Sequence, residues 1–542
     1  MHDLKNEPVN GVDTAWLRMD SATNLMVISA MIVVDQMEFD DFKAVIQNRF
    51  LRHPRFRKKP VHHTAGYFWE TDHFFDLDHH VVKVALTAPA DKKSLQDYVA
   101  RQVGVPLDAG KPLWMLHFIE NYQGGSAILM RIHHCYADGI ALVRLFHDIT
   151  DSGPNVKHFT PPRSDSMDTG NQSELSSAAR TAEARSEASE FNPGRDNGEP
   201  VPGEKKHRES PDLYYPWPFY QQLFDSAWHS LERYTRMGIR MSEEGIHVLR
   251  EPGSVRGYVK DVLRVANEIT RLASIPSDPK TALKGSLGVK KACAWSEPVN
   301  FDAIKHISKR LGCKINDVLL SCVAGALRHY LLSRSDSISN QKIHVTVPVN
   351  IRPDISIEDP LEELGNHFGT VFVPLPIGID NPLERIYTLK HDMEQLKQSL
   401  QPGLSYGLLY AAGMAPRSLQ RNLMDVFSKK STAVLSNVPG PKQKRYLGGS
   451  RIREQMFWVP QTGEIGLGLS MISYAGGVQF GVVSDVNLCA NPEVIVEACV
   501  KHMQEYLTLV NSELNFYAQD NTSENLAEAD QDLNLYKRNQ AG

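Results

Sequence analysis

Between Thr160 and Pro211 the chain is dense in Ser, Glu, Arg, Gly, Pro and Asp, with Phe191 as the single aromatic residue. Such a stretch cannot bury enough apolar surface to offset the entropy lost on ordering it, so it predicts a disordered linker. Whatever folds must then lie on either side of it. Single cores stop growing near roughly 250–300 residues. For a chain of 542 residues, two folded bodies are therefore the expectation. The boundaries that follow are a first body over 1–155, a disordered linker over 156–211, a helical connector over 212–280, a second body over 281–512 and a loose polar tail over 513–542.

Hydrophobic periodicity gives both bodies the same character. Leu25–Val34 is rich in β-branched residues and reads as a buried strand, Phe39–Phe50 has helical spacing, His79–Leu86 and Ser126–His134 read as strands, and Gly139–Ile149 reads as a helix. In the second body His344–Val349, Thr370–Val373, Thr432–Leu435 and Gly477–Val483 read as strands. Ile315–Leu332 is the best helix, with Asn316 as its expected cap and Asp317 in the first turn, where the helix dipole favours negative charge. Strands alternating with helices place the chain in the α/β (α+β) class.

Bulk chemistry narrows the partners. The net charge of −5 argues against nucleic acid, whose phosphates demand a concentrated excess of Lys and Arg. Cys135, Cys293, Cys313, Cys322, Cys489 and Cys499 form no C-x-x-C pair and sit mostly in apolar stretches, so they are expected to be reduced and mostly buried. MHDLKNEPVNG has neither the basic nor the apolar region of a signal peptide, and no uninterrupted apolar run is long enough to span a bilayer. The expectation is a cytoplasmic protein free to visit a membrane surface.

The chemistry is concentrated in RIHHCYADGIALVRLF, residues 131–146. Side chains alternate across a strand, so His134 should face one way while His133 and Cys135 face the other. A general base for an alcohol needs an imidazole held in one tautomer. Asp138 could hold the ring directly or pair with an arginine and shape the loop, and Gly139 suits a tight turn where a Cβ would obstruct the backbone. The plainer reading makes these residues part of the core, with Asp138 as a helix N-cap. Two other His doublets, His62–His63 and His79–His80, lack an Asp-Gly four residues on, so HH-x-x-x-D-G stands apart. A metal site is not expected: adjacent His residues on a strand diverge, and no H-x-H or H-E-x-x-H spacing supplies further ligands.

HHCYADG resembles the HHxxxDG motif of the coenzyme A-dependent acyltransferase superfamily, and its surroundings resemble the wax ester synthase/diacylglycerol acyltransferase branch. Pro112-Leu113-Trp114 matches that family's PLW motif and Asn316-Asp317 its ND motif. VTVPVNIRP (345–353), LGNHFGT (364–370) and LSNVPGP (435–441) fit its second half in order and spacing. The opening VDTAWLRMDSATNLMVISAMIVV resembles its first strand, with Asp13 in the usual place. Departures are Lys284-Gly285 where the family has Asn-Gly, Lys290-Lys291 in a usually Arg-rich turn, and the long linker.

The resemblance implies two acyltransferase-like domains with a tunnel at their interface, where an acyl-coenzyme A and an acceptor alcohol meet at His134. It implies O-acyl transfer to a long-chain alcohol or diacylglycerol, with acyl-coenzyme A as substrate and no cofactor. In the superfamily the motif's Asp generally pairs with an Arg, for which Arg55 or Arg57 is the candidate here. Asn437 or a nearby backbone N–H in SNVPGP is the candidate oxyanion donor, the alternative for Asn437 being a turn residue before Pro439-Gly440-Pro441. Cys135 is not expected to be a nucleophile. Asn316 and Asp317 are favoured as cap and first turn of their helix, and Trp114 as packing at the domain seam. Lipid substrates imply contact with a membrane or lipid-droplet surface, for which Tyr214–Phe224, gathering Trp217, three tyrosines and two phenylalanines, is one candidate. Packing of these aromatics on the second domain is the other reading. Alternatives to the whole are a catalytically silent lipid-surface or scaffold protein of the same fold, or an acyltransferase for another alcohol or an amine.

Overall fold

In the computed structural model the described residues are 7–154, 270–272, 274–352, 364–397 and 399–512. The expected linker, the aromatic segment at 214–224 and the polar tail from 513 lie outside them.

The periodic segments fold largely as read. Val27–Asp35 and Gly125–His133 are strands, and Phe39–Asn48 and Gly139–Ile149 are helices. The last of these turns Leu142, Leu145, Phe146 and Ile149 into the core. Burying such a side chain is worth about 1.5–3 kcal/mol, enough to hold a short helix that would be marginal alone. In Ile343–Asn350 the residues Ile343, Val345, Val347 and Val349 are buried in strict alternation, which sets the strand's inner face.

Two elements depart from expectation. His79 and His80 close a one-turn helix, Leu77–His80, before the strand Val81–Ala85 begins. Asp76 caps that turn through the Asp78 N–H at 3.0 Å, and the His80 ring is bound at Nδ1 to the Trp114 carbonyl at 2.8 Å. In the helix Ile315–Ser333 the N-cap is Lys314, so Asn316 is not the cap. Asp317 closes that end instead, accepting the Lys314 N–H at 2.8 Å.

Among the described residues two large sheets carry the fold, together with a three-stranded sheet of Glu7–Pro8, Gly66–Thr71 and Lys58–His63. One runs in the order Tyr446–Leu447, Ser450–Trp458, Val27–Asp35, Gly125–His133, Trp114–Tyr122, Val81–Ala85. The other runs Phe368–Leu375, Ile343–Asn350, Ala433–Pro439, Leu467–Tyr474, Gly477–Asp485, Lys291–Trp295, with Val299–Asn300 added on Gly477–Asp485. The strand Ser450–Trp458 belongs by sequence to the second half of the chain, yet it pairs antiparallel with Val27–Asp35 in the first sheet, Trp458 opposite Ser29. This exchange ties the halves into one compact unit. Met31, Val33 and Leu129 share an apolar cluster with Trp295, Met456, Trp458 and Val483.

Helix Gly11–Met19 is pressed against helix Gln401–Met414. A Cβ on Gly413 would lie 1.7 Å from the Gly11 carbonyl oxygen, so only glycine allows the approach. That contact carries Trp16 and Asp13 toward the end of the strand bearing His133.

Candidate active site

His134 follows the last residue of its strand, and its N–H donates to the Met26 carbonyl at 2.7 Å, keeping it aligned with the sheet edge. Its ring stacks on Trp16, centroids 4.2 Å apart and planes 11° from parallel, with Phe368 at 5.6 Å. Nδ1 lies 2.8 Å from Oδ1 of Asn366. The ring borders a cavity of about 190 Å³ built from both halves of the chain: Trp16, Ile28, Asp138 and Gly139 from the first, Pro348, Phe368, Phe427 and Ser436–Pro439 from the second. Burial pushes the imidazole's pKa down to about 4, against the raising effects of local hydrogen bonds and the Asp138 charge, so His134 is neutral at physiological pH. His133 is buried, its Nδ1 3.2 Å from the Cys135 N–H, and burial with the neighbouring imidazole lowers it to about 3.

Asp138 does not hold the ring. Its carboxylate accepts from Arg352 Nη1 at 2.6 Å, from the His367 N–H at 2.9 Å and, as N-cap of Gly139–Ile149, from the Ala141 N–H at 2.9 Å. Burial alone would raise this carboxyl, but the guanidinium and the two N–H groups outweigh it and keep it below the usual carboxylate range. The expected partners Arg55 and Arg57 are engaged elsewhere. Arg55 pairs with Glu7 and lies over the Trp69 ring, and Arg57 lies over Phe75. Arg352 also donates to the Gly365 carbonyl at 3.0 Å, and Gly365, at φ +125°, makes the sharp turn that presents Asn366.

Gly139 has ordinary helical backbone, and a Cβ there would touch only Val438 Cγ2 at 3.7 Å, so the turn does not require glycine. What the missing Cβ leaves open is space. Gly139 borders both the His134 cavity and an almost wholly apolar second one of about 100 Å³, lined by Phe50, Ile128, Phe146 and Leu447, with Ile28, Val438 and Phe457 common to both.

Asn437 lies within the strand Ala433–Pro439, not in a turn, and borders the His134 cavity. Its Nδ2 donates to Asn316 Oδ1 at 2.9 Å, which brings a residue of the Asn316-Asp317 pair up behind it. Pro112, Leu113 and Trp114 border neither cavity. They brace the HHCYADG loop from behind: Leu113 accepts the His133 N–H at 2.9 Å, and its own N–H donates to the Tyr136 hydroxyl at 3.0 Å. Trp114 packs among Phe50, Phe56 and His80 inside the first half, not at a seam, with Nε1 donating to the Phe56 carbonyl at 2.8 Å. All six cysteines are buried, and burial raises the Cys135 thiol well above its ordinary value, so it remains protonated.

Sequence reasoning missed Asn366 and Arg352. Both stood in strings matched to a family's second half, but nothing local shows that side chains more than two hundred positions later reach residues 134 and 138.

Comparison with known proteins gives consistent results. A family model described as the wax ester synthase/diacylglycerol acyltransferase catalytic domain matches residues 9–190, and one described as the WS/DGAT C-terminal domain matches 364–506. A putative diacylglycerol O-acyltransferase of Mycobacterium tuberculosis is 24% identical, covering 92% of this chain and 90% of its own. O-acyltransferase WSD of Acinetobacter baylyi is 24% identical, with 82% and 83% covered. The wax ester synthase/diacylglycerol acyltransferase from Marinobacter aquaeolei VT8 shares the fold at TM-score 0.59 and 18% identity, covering 93% of this chain and all of that one.

Proposed function

Because the chain belongs to the wax ester synthase/diacylglycerol acyltransferase family, we propose that it moves a long-chain fatty acyl group from coenzyme A to the hydroxyl of a long-chain alcohol or diacylglycerol, with His134 as the general base. One observation carries this reading. A neutral imidazole stands at the wall of a cavity shared by both halves, with Nδ1 bound to Asn366 and Nε2 left as the nitrogen for chemistry.

Nε2 takes the acceptor's proton as the oxygen attacks the thioester carbonyl. The resulting tetrahedral oxyanion re-forms the carbonyl as the C–S bond breaks, and the imidazolium returns its proton to the departing sulfur. No covalent enzyme intermediate is required, the buried protonated Cys135 offers none, and the thioester supplies the leaving group without a cofactor. Asn437 is the candidate donor to the oxyanion, a role worth about 3–4 kcal/mol. One of its N–H groups is committed to Asn316, which fixes the amide facing the cavity. Asp138 and Arg352 act by holding the loop. The apolar second cavity beyond Gly139 suits an alkyl chain.

Contact with a membrane or lipid-droplet surface has support in the helix Arg417–Lys429. Leu419 and Val426, seven residues apart and so on one face, are 59% and 53% exposed, and Met414 on the preceding helix is 68% exposed. Arg417, Arg421 and Lys429 add positive charge to the same helix, while Met424 and Phe427 border the His134 cavity. A basic helix with outward apolar residues fits an anionic lipid surface. Among the described residues no helix is long and apolar enough to cross a membrane.

The test gives the purified chain labelled palmitoyl-coenzyme A with hexadecanol and with diacylglycerol in parallel, beside His134→Ala. Product from the parent and at least a 10³-fold loss in the variant is expected. Equal product from both would remove the base.

A further inference from the structure

We infer that Asn366 is the positioning residue that fixes the tautomer of His134, and that Asp13 in turn fixes Asn366. The inference rests on His134 as base and deepens that reading.

The argument is one of donors and acceptors. Nδ2 of Asn366 lies 2.6 Å from the His134 carbonyl oxygen and 2.7 Å from Asp13 Oδ1. A backbone carbonyl can only accept, so the Asn366 atom facing it must be the NH₂ group; the flipped amide would set two oxygens against each other. Asn366 Oδ1 therefore faces Nδ1 of His134 at 2.8 Å, and an amide oxygen can only accept. The proton of the neutral ring sits on Nδ1, and the lone pair is on Nε2. Asp13 completes the chain. Its Oδ1 takes the second Asn366 hydrogen, while its Oδ2 accepts from Asn10 Nδ2 at 2.8 Å and its N–H donates back to Asn10 Oδ1 at 2.8 Å. Asn366 and Asp13 are 0% and 1% exposed, so water does not compete for these bonds. The arrangement has the logic of a base and its orienting group, with a neutral amide touching the ring and the Asp13 carboxyl group one residue further back.

A neutral orienter has a distinguishing consequence. It fixes the ring without adding charge beside it, so the imidazole keeps the low proton affinity that burial imposes. A carboxylate at the same position would also fix the ring but would favour the imidazolium.

The experiment measures kcat, KM for palmitoyl-coenzyme A and the pH profile of kcat/KM for the full chain and for Asn366→Ala, Asn366→Asp and His134→Ala, with circular dichroism to verify folding. Asn366→Ala should lower kcat about 10²-fold with KM nearly unchanged, because the ring loses its tautomer and not its substrate. Asn366→Asp keeps the acceptor for the Nδ1 proton but loses both N–H donors, so the activity it retains should show the acid limb moved to higher pH, a shift that a merely structural side chain would not produce. Wild-type kcat in Asn366→Ala beside an inactive His134→Ala overturns this inference and leaves the base intact. An Asn366→Asp profile whose acid limb stays at the parent's pH also overturns it. Activity in His134→Ala brings down both.

Discussion

Asp138 carries three loads at one side chain: it caps a helix, receives a backbone N–H from the LGNHFGT turn and neutralises Arg352. The two charged side chains are only 4% and 8% exposed, so removing one partner leaves a buried charge without compensation. Such a loss typically costs about 3–5 kcal/mol. Arg352→Ala should therefore destabilise the fold by about that much. Asp138→Asn keeps a capping oxygen for the Ala141 N–H but turns its NH₂ toward Arg352 and the His367 N–H and leaves the guanidinium without its counter-charge, so it should cost a similar amount. In the double variant neither charge remains, and urea unfolding should show a total smaller than the sum of the singles by about 1–3 kcal/mol. Strict additivity would mean that the pair does not act as a unit.

At the scale of elements, the helix Arg417–Lys429 has an outer face that nothing in catalysis uses, so its contribution can be separated from chemistry. Replacing Leu419 and Val426 with Ser should lower co-sedimentation with phosphatidylglycerol vesicles several-fold while leaving transfer to a short soluble alcohol unchanged; undiminished sedimentation would reject this face. Elements of this kind were legible where one face is buried and period decides type. Phe39–Asn48, Gly139–Ile149 and the alternating strand Ile343–Asn350 all follow from spacing. Pairing was not legible. Nothing within Ser450–Trp458 reveals that its neighbour is Val27–Asp35, because register between segments so distant is set by the assembled core. The same limit governs the site. His134 and Asp138 lie in one short string with a recognisable turn. Arg352 and Asn366 become their partners only when the second half closes over that turn, and Asn316 surrendered its expected cap role to reach Asn437.

For the whole molecule, buried rings at the site, and His117 outside it bound to the Tyr98 hydroxyl at 2.7 Å, set the tolerance of acid. Burial holds His117 and His134 near pKa 4 and His133 near 3, against about 6.5 in an unfolded chain. As pH falls below 6.5 the unfolded chain takes up protons at these rings and the native state does not, so stability present above 6.5 is lost progressively toward 4. Asp13 works in the opposite sense. Burial raises it from 3.8 to about 7, against the hydrogen bond from Asn366 and the charge of Arg55, so the native state binds its proton first and the stability it confers fades as pH rises through 7. Three imidazoles outweigh one carboxyl between pH 4 and 6.5, and the melting temperature should drop steadily across that interval. His133→Asn retains an acceptor for the Cys135 N–H and removes one titrating ring, so its melting curve should depend less steeply on pH than the parent's. Asp13→Asn removes the one group of the four that resists acid and should depend on it more steeply. Calorimetric scans at constant ionic strength distinguish these slopes, and a melting temperature that stays level from pH 6.5 to 4.5 would mean that these rings are hydrated in solution and already protonate within the native fold.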